Sequence, residues 1–307
     1  MTAKIERIFG PYGTRLQEIG QKIGEPQLNN PVAILNGHGA RGAVGTVAQE
    51  YLNHGATIGT VNASGLRGLL HRAGEEGVYG DAMRTQWEIL NAMVARTRKR
   101  IPTFVSLGPV GDCYQPESAP TTVEARDFHE RQAATAKTLD VTAACFETVN
   151  TIQEGIGIAK ANQKIGMPCI ISFVLDRKGK LLSGESLKDA IAAIDSATRN
   201  YPLGYGVNCC PVEALEPALR GCGKRGDRMI LAYPNASSKS PRELEGGNEI
   251  ITVRDPIHMA RYLHYIAQKY GLRIISGCCG FSAHDIGLVS RAVRQGVMDA
   301  HLPLTDA

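Results

Sequence analysis

Four of the eight cysteines stand as two adjacent pairs, Cys209-Cys210 and Cys278-Cys279. Each pair closes a short apolar run, GYGVN before the first and RIISG before the second. Thiolates are soft ligands, and a catalytic zinc takes three protein ligands while one coordination position stays open. Three sulfurs drawn from these pairs would meet that demand, provided the fold brings the two run ends together. Within the first pair, either Cys209 or Cys210 could point toward the other pair. Gly277 and Gly280 flank the second pair and permit the tight backbone that adjacent ligands require. The competing reading is a set of unligated core thiols, because cysteine is among the most buried residue types. Cys113, Cys145, Cys169 and Cys222 have no neighbouring thiol at a run end and take that second reading.

A repeat of short strand and helix is what would bring the pairs together. Eight β-branched or apolar runs centre near Ile8, Ile58, Phe104, Ala144, Ile171, Val207, Leu231 and Ile275. Most are continuous instead of alternating, as expected of strands buried on both faces of a parallel sheet. Between them, segments such as GTVAQEYLNHGA, QWEILNAMVARTRKR, VEALEPALRGCGK and PIHMARYLHYIAQKYG place apolar residues at helical spacing. This alternation predicts a closed (β/α)8 TIM barrel, an α/β fold forming one domain over residues 1–307. No Gly-x-Gly-x-x-Gly follows the first strand, which argues against a dinucleotide-binding sheet.

In such a barrel the chemistry lies where strands end. The expected ends are Tyr12-Gly13-Thr14, Thr60-Val61-Asn62, Gly108-Pro109, Glu147-Thr148, Asn208-Cys209-Cys210, Tyr233-Pro234-Asn235 and Gly277-Cys278-Cys279-Gly280. The sixth and eighth strands lie close in the ring, so the cysteine pairs would converge. Glu147 by itself is equally a ligand-binding carboxylate or a surface acid, and its strand-end position supports the former.

Composition bounds the partners. With 43% hydrophobic and 21% charged residues, the 307-residue chain can bury a sizeable core. The net charge of +4 comes partly from the cluster Arg96 to Arg100, which closes an expected helix, where cations complement the helix dipole. Aromatics at 6% and the lack of a broad basic face argue against nucleic acid. The opening MTAKIERIFGPYG lacks the apolar core of a secretory signal, and no run approaches the roughly 18 apolar residues of a membrane span. A cytoplasmic location is therefore expected, and there clustered thiols more often mean metal or catalysis than disulfides.

Taken in order, many segments together carry a resemblance. They are Gly13-Thr14, Thr60 and Asn62, SLGPVG at 106–111, FHERQ at 128–132, FET at 146–148, ISF and LLSGESL between 171 and 187, GVNC at 206–209, YPN at 233–235 and SGCCG at 276–280. Over nearly its whole length the chain resembles the zinc-dependent homocysteine S-methyltransferases. That family includes enzymes using betaine or S-methylmethionine and the homocysteine-binding barrel of cobalamin-dependent methionine synthase. The resemblance implies a (β/α)8 barrel, with Zn2+ bound by Cys209, Cys278 and Cys279. It implies a catalytic and substrate-binding role for Glu147, and substrate contacts at Gly13, Thr14 and Asn62. The implied reaction moves a methyl group from S-methylmethionine, a betaine-type donor or a methyl-corrinoid to a thiol, homocysteine giving methionine. No stretch resembles a cobalamin domain, so a corrinoid would arrive on a partner protein.

The chemistry follows from charge. A thiol with pKa about 8.5 is mostly protonated at neutral pH, and the thiolate is the nucleophile. Substrate sulfur in the open position of zinc would lose its proton, while three cysteine ligands keep the site anionic and the sulfur nucleophilic.

Two departures from the family pattern bear on the acceptor. The usual Asp-Gly-Ala-Met-Gly-Thr is Phe9-Gly10-Pro11-Tyr12-Gly13-Thr14 here, without the aspartate implied in binding the substrate amine. The usual Thr-Asn-Thr-Phe is Val61-Asn62-Ala63-Ser64. They motivate two alternatives, a different thiol acceptor or a barrel that binds metal or ligand without methyl transfer. Tyr12 and Tyr233 are expected at the mouth, either facing a methylated cation through cation–π contact or packing.

Overall fold

Short runs buried on both faces form the strands: β1 (Glu6–Arg7), β2 (Gly59–Asn62), β3 (Thr103–Leu107), β4 (Ala143–Val149), β5 (Cys169–Phe173), β6 (Gly204–Asn208), β7 (Met229–Tyr233) and β8 (Ile274–Ile275). The structure, a computed structural model, describes residues 4–20, 38–71, 74–239 and 253–301. All eight strands run parallel in the order β1-β8-β7-β6-β5-β4-β3-β2. The parallel bridge of Ile8 with Ile58, supported by Phe9 N–H donating to Ile58 O at 3.2 Å, joins β1 to β2. The eight expected strands are thus the eight observed, in the expected (β/α)8 arrangement.

Helices follow the strands, and local signals set their ends. Thr121 and Ser282 close capping boxes with Glu124 and Asp285 at the starts of Thr122–Lys137 and Ala283–Gln295. Left-handed glycines at 166, 271 and 296 end Ile152–Ile165, Pro256–Tyr270 and Ala283–Gln295. Two expected helices differ. The segment expected from Gln86 begins at Glu76, because Tyr79, Ala82 and Met83 pack into the core despite Gly77 and Gly80. The segment VEALEPALRGCGK is α-helical only over Leu215–Cys222, flanked by 3-10 turns at Val212–Ala214 and Gly223–Arg228, the second starting where Gly223 takes φ 52. No helix among the described residues is long and apolar enough to cross a membrane.

Side chains sort into two cores. The larger lies between sheet and helices. The smaller fills the barrel with Ile8, Ile58, Phe104, Ala143, Cys145, Ile170, Ile230, Leu231, Tyr233 and Ile274. Strand β6 adds nothing to it, because its inward positions are Gly204 and Gly206. A Cβ on Gly206 would collide with Leu231, which occupies that space from β7. One further inward step along β6 reaches Asn208, at the mouth of the barrel.

Candidate active site

The continuation of β7 runs between the two cysteine segments and is bonded to both. Cys278 N–H donates to Pro234 O at 2.7 Å and Ala236 N–H to Cys279 O at 2.9 Å. On the other side Asn235 N–H donates to Cys210 O at 2.8 Å and Cys209 N–H to Tyr233 O at 3.3 Å. The sulfurs of Cys209, Cys278 and Cys279 consequently lie within 4.8 Å of one another. A tetrahedral zinc with bonds of about 2.3 Å spaces its sulfurs by about 3.8 Å, so donor set and spacing fit one ion. Cys209 and Cys278 are paired as a disulfide with Cα atoms 5.5 Å apart. Reduced to thiols on the same backbone, they and Cys279 present three soft donors to one point. Asn235, 1% exposed, also keeps a buried Oδ1 without a hydrogen-bond partner among the described residues.

Backbone conformation separates Cys209 from Cys210. Cys209 takes the left-handed φ of 47, which turns the two side chains apart. Cys210 enters the outer core, where burial pushes its thiol up to about 12. Gly280 has φ 85, and a Cβ on Gly277 would strike the Phe281 ring, so both glycines around the second pair are required.

Glu147 rises from β4 on the inward face, two residues beyond Cys145. Its carboxyl is partly buried, with the hydroxyls of Ser106 and Tyr233 as hydrogen-bond partners. Burial outweighs those bonds and pushes it up to about 7. Cys279 lies within its electrostatic reach. Tyr233 also approaches Cys145, with 3.7 Å from Oη to Sγ, and burial together with these neighbours raises its phenol far above the usual range. A carboxyl suited to an ammonium group and three sulfurs suited to a soft cation therefore share one barrel end.

The other expected positions are distributed around the same end. Gly13 and Thr14 lie in the helix Tyr12–Glu18 that follows β1, and the side chain of Thr14 is outside the described set. Asn62 ends β2, its backbone held by Gln86 at 3.1 and 2.8 Å and its Oδ1 by Ser64 at 2.9 Å. Tyr12 does not face the mouth; it is buried in the outer core near Phe9 and Tyr51, at 6.1 and 6.3 Å between ring centroids. Phe9 packs against Tyr51 with tilted rings, 5.3 Å between centroids, in that same outer layer. Cys113 is half-buried in the β3 loop instead of the core and is bonded to Tyr114, whose phenol lies within electrostatic reach of Cys279.

Sequence reasoning placed Asn208 at a strand end but gave no role to it or to the inward polar layer it forms with Ser106 and Ser172. Its signal is period two: Phe104 to Ser106, Ile170 to Ser172, Gly206 to Asn208. It also overlooked His129, fully buried between Gln132 Oε1 at 2.7 Å and Glu154 Oε1 at 3.1 Å. Glu154 Oε1 accepts the Val110 N–H at 2.6 Å as well, which ties the β3 loop to the helix Ile152–Ile165.

Comparison with known proteins shows the family and the fold. The family model described as homocysteine S-methyltransferase matches residues 9–293. Homocysteine S-methyltransferase 1 of Arabidopsis thaliana is 22% identical over 94% of this chain and 93% of its own length. Homocysteine S-methyltransferase 3 of Zea mays is 25% identical over 58% of this chain, and the match spans about half of that protein, 52%. The metallated homocysteine methyltransferase MmuM of Escherichia coli has the same fold, with TM-score 0.75 and 18% identity over 94% of this chain and 96% of that one.

Proposed function

Because the chain belongs to the homocysteine S-methyltransferase family and is a methyltransferase, we propose that it methylates homocysteine to methionine at a Zn2+ held by Cys209, Cys278 and Cys279. The observation that carries this reading is the convergence of those three sulfurs within 4.8 Å at the end of the barrel that holds Glu147. Zinc bound there supplies a positive centre that keeps an incoming thiol deprotonated at neutral pH.

The protein's own residues supply recognition and position. Glu147 offers its carboxylate to the acceptor's ammonium, and that cation in turn favours the ionised carboxyl against the cost of burial. Ser106 and Tyr233 hold the carboxyl in place. Gly13, Thr14 and Asn62 complete the substrate rim at the ends of β1 and β2. Holding acceptor sulfur and donor methyl in line supplies much of the acceleration. The donor is S-methylmethionine, a betaine-type compound or a methyl-corrinoid carried by a partner protein. The reaction is placed in the cytoplasm, where thiols stay reduced.

The test is metal analysis of protein purified without chelator, followed by assay of methionine formation from homocysteine with each donor in turn. About one zinc per chain and turnover with one donor are expected; a small fraction of one zinc, or no methionine with any donor, overturns the reading.

Phe9 favours a second reading, methyl transfer to a different thiol. Its ring packs on Tyr51 in the outer layer, so this strand end offers no carboxylate to an amine. Comparing kcat/KM for homocysteine and for thiols without an amino group decides between the two.

A further inference from the structure

An amino-acid thiol must be held at two points, its sulfur by the cysteines and its ammonium by Glu147, so the spacing of those points selects its length. Five described non-glycine residues adopt a left-handed φ: Arg98, Thr148, Arg199, Asn200 and Cys209. Arg98, Arg199 and Asn200 follow the ends of the helices Glu76–Arg96 and Leu187–Thr198, where that conformation is a common way to stop. Thr148 and Cys209 have no such reason. One directly follows Glu147, and the other is itself a proposed ligand. Such conformations cost about 1–3 kcal/mol each and persist only where the surroundings dictate them.

Asn208 holds the first of them in place and leads by its backbone into the second. Its Oδ1 accepts the Thr148 N–H at 2.9 Å and the Ser172 hydroxyl at 2.6 Å, and the residue is 1% exposed. The Thr148 N–H can only donate, so the amide atom facing it is the oxygen and the orientation of the side chain is set. Its backbone leads directly into Cys209. One side chain therefore ties the turn after Glu147 on β4, across Ser172 on β5, to the turn at Cys209 on β6.

We propose that Asn208 is a positioning residue that sets the spacing between the Glu147 carboxylate and the Cys209 sulfur and so selects an amino-acid thiol of homocysteine's length. The proposal rests on the acceptor reading given above. Without the Asn208 side chain, Thr148 relaxes toward an ordinary φ and Glu147 swings with it. The cysteines, held by four backbone bonds to the Pro234-Asn235 segment and its neighbours, stay in place.

The experiment is calorimetric titration of the zinc-loaded full chain, as wild type, Asn208→Ala and Ser172→Ala. The titrants are homocysteine, cysteine, which is one methylene shorter, and 4-mercaptobutanoate, which is homocysteine without its amine. Wild type is expected to bind homocysteine most tightly. In Asn208→Ala the homocysteine affinity should fall about tenfold, with 4-mercaptobutanoate changed less than twofold and zinc still near one per chain. Ser172→Ala should show the same pattern with a smaller loss. Equal weakening of both thiols, loss of zinc from folded Asn208→Ala, or an undiminished preference for homocysteine in either variant overturns the proposal. Should Asn208→Ala fail to fold, Ser172→Ala decides alone. A wild type that does not distinguish the thiols refutes the acceptor reading itself, and the selection proposed for Asn208 with it.

Discussion

The Tyr233 hydroxyl is hydrogen-bonded to the Glu147 carboxyl across the inside of the barrel, from β7 to β4. The carbonyl of the same tyrosine accepts the Cys209 N–H at 3.3 Å. Tyr233 thus touches both the acidic and the sulfur half of the site, and its two contacts can be separated by mutation because one belongs to the side chain and the other to the backbone.

Tyr233→Phe removes only the side-chain bond. KM for homocysteine should rise about fivefold, in line with a net hydrogen bond of about 1 kcal/mol. The turnover number should stay within twofold and zinc content unchanged. Steady-state kinetics with metal analysis checks this, and a fall in kcat at constant KM would contradict the positioning role.

Glu147 connects function to stability through pH. Its folded-state pKa, about 7, lies above the ordinary carboxyl value of 4.5, so the folded protein holds this proton more tightly than the unfolded chain. The sign is opposite to that of a salt-bridged acid. The penalty is absent below pH 4.5, grows as pH rises toward 7, and is complete above it. Metal-free Glu147→Gln should be more stable than wild type at pH 8, on the order of 1–2 kcal/mol, with the gap closing toward pH 4.5. The same variant should bind homocysteine more weakly. Denaturant melts across pH test the first statement and titration with homocysteine the second.

The adjacent cysteines Cys209 and Cys210 should behave differently. Cys278→Ala and Cys209→Ala should each remove zinc and abolish activity. Cys210→Ala should retain both, with a cost of about 1 kcal/mol for the small cavity left in the outer core. Full zinc retention in Cys278→Ala would refute the ligand assignment.

Glu154→Ala should act away from the sulfurs. It leaves buried His129 and the Val110 N–H without their shared acceptor, at a cost of about 2–4 kcal/mol. Thermal unfolding should show the loss, while the zinc content of folded protein stays near one per chain.

Gly206→Ala tests the shape of the barrel interior. Its new methyl group meets Leu231 and should destabilise the fold by about 1–3 kcal/mol. A companion Leu231→Ala change should recover part of that loss, measured as a double-mutant cycle in denaturant.

Much of the architecture is legible in the chain. Parallel strands buried on both faces need unbroken apolar sequence, and the runs near Ile8, Ile58, Phe104, Ala144, Ile171, Val207, Leu231 and Ile275 supply it. The helix Ala283–Gln295 is harder to read because its buried face carries Asp285, Gly287 and Ser290, which blur the apolar period. Strand-end position and family resemblance together also single out Glu147 and the cysteine pairs, since both kinds of information are local.

Side-chain direction is not local. Which of Cys209 and Cys210 faces the mouth depends on a φ of 47 that tertiary contacts impose, and a neighbouring pair of cysteines carries no mark of it. That Phe9 leaves the barrel interior for Tyr51 depends on where β1 meets β2. Likewise, the register of β4, β5 and β6 alone puts Ser172 and Thr148 against the amide of Asn208. Sequence determined the elements and the chemistry available at their ends, because propensity and burial act over a few neighbouring residues. Tertiary structure decided which of those groups meet, because strand register and left-handed turns are set by contacts between residues far apart in the chain.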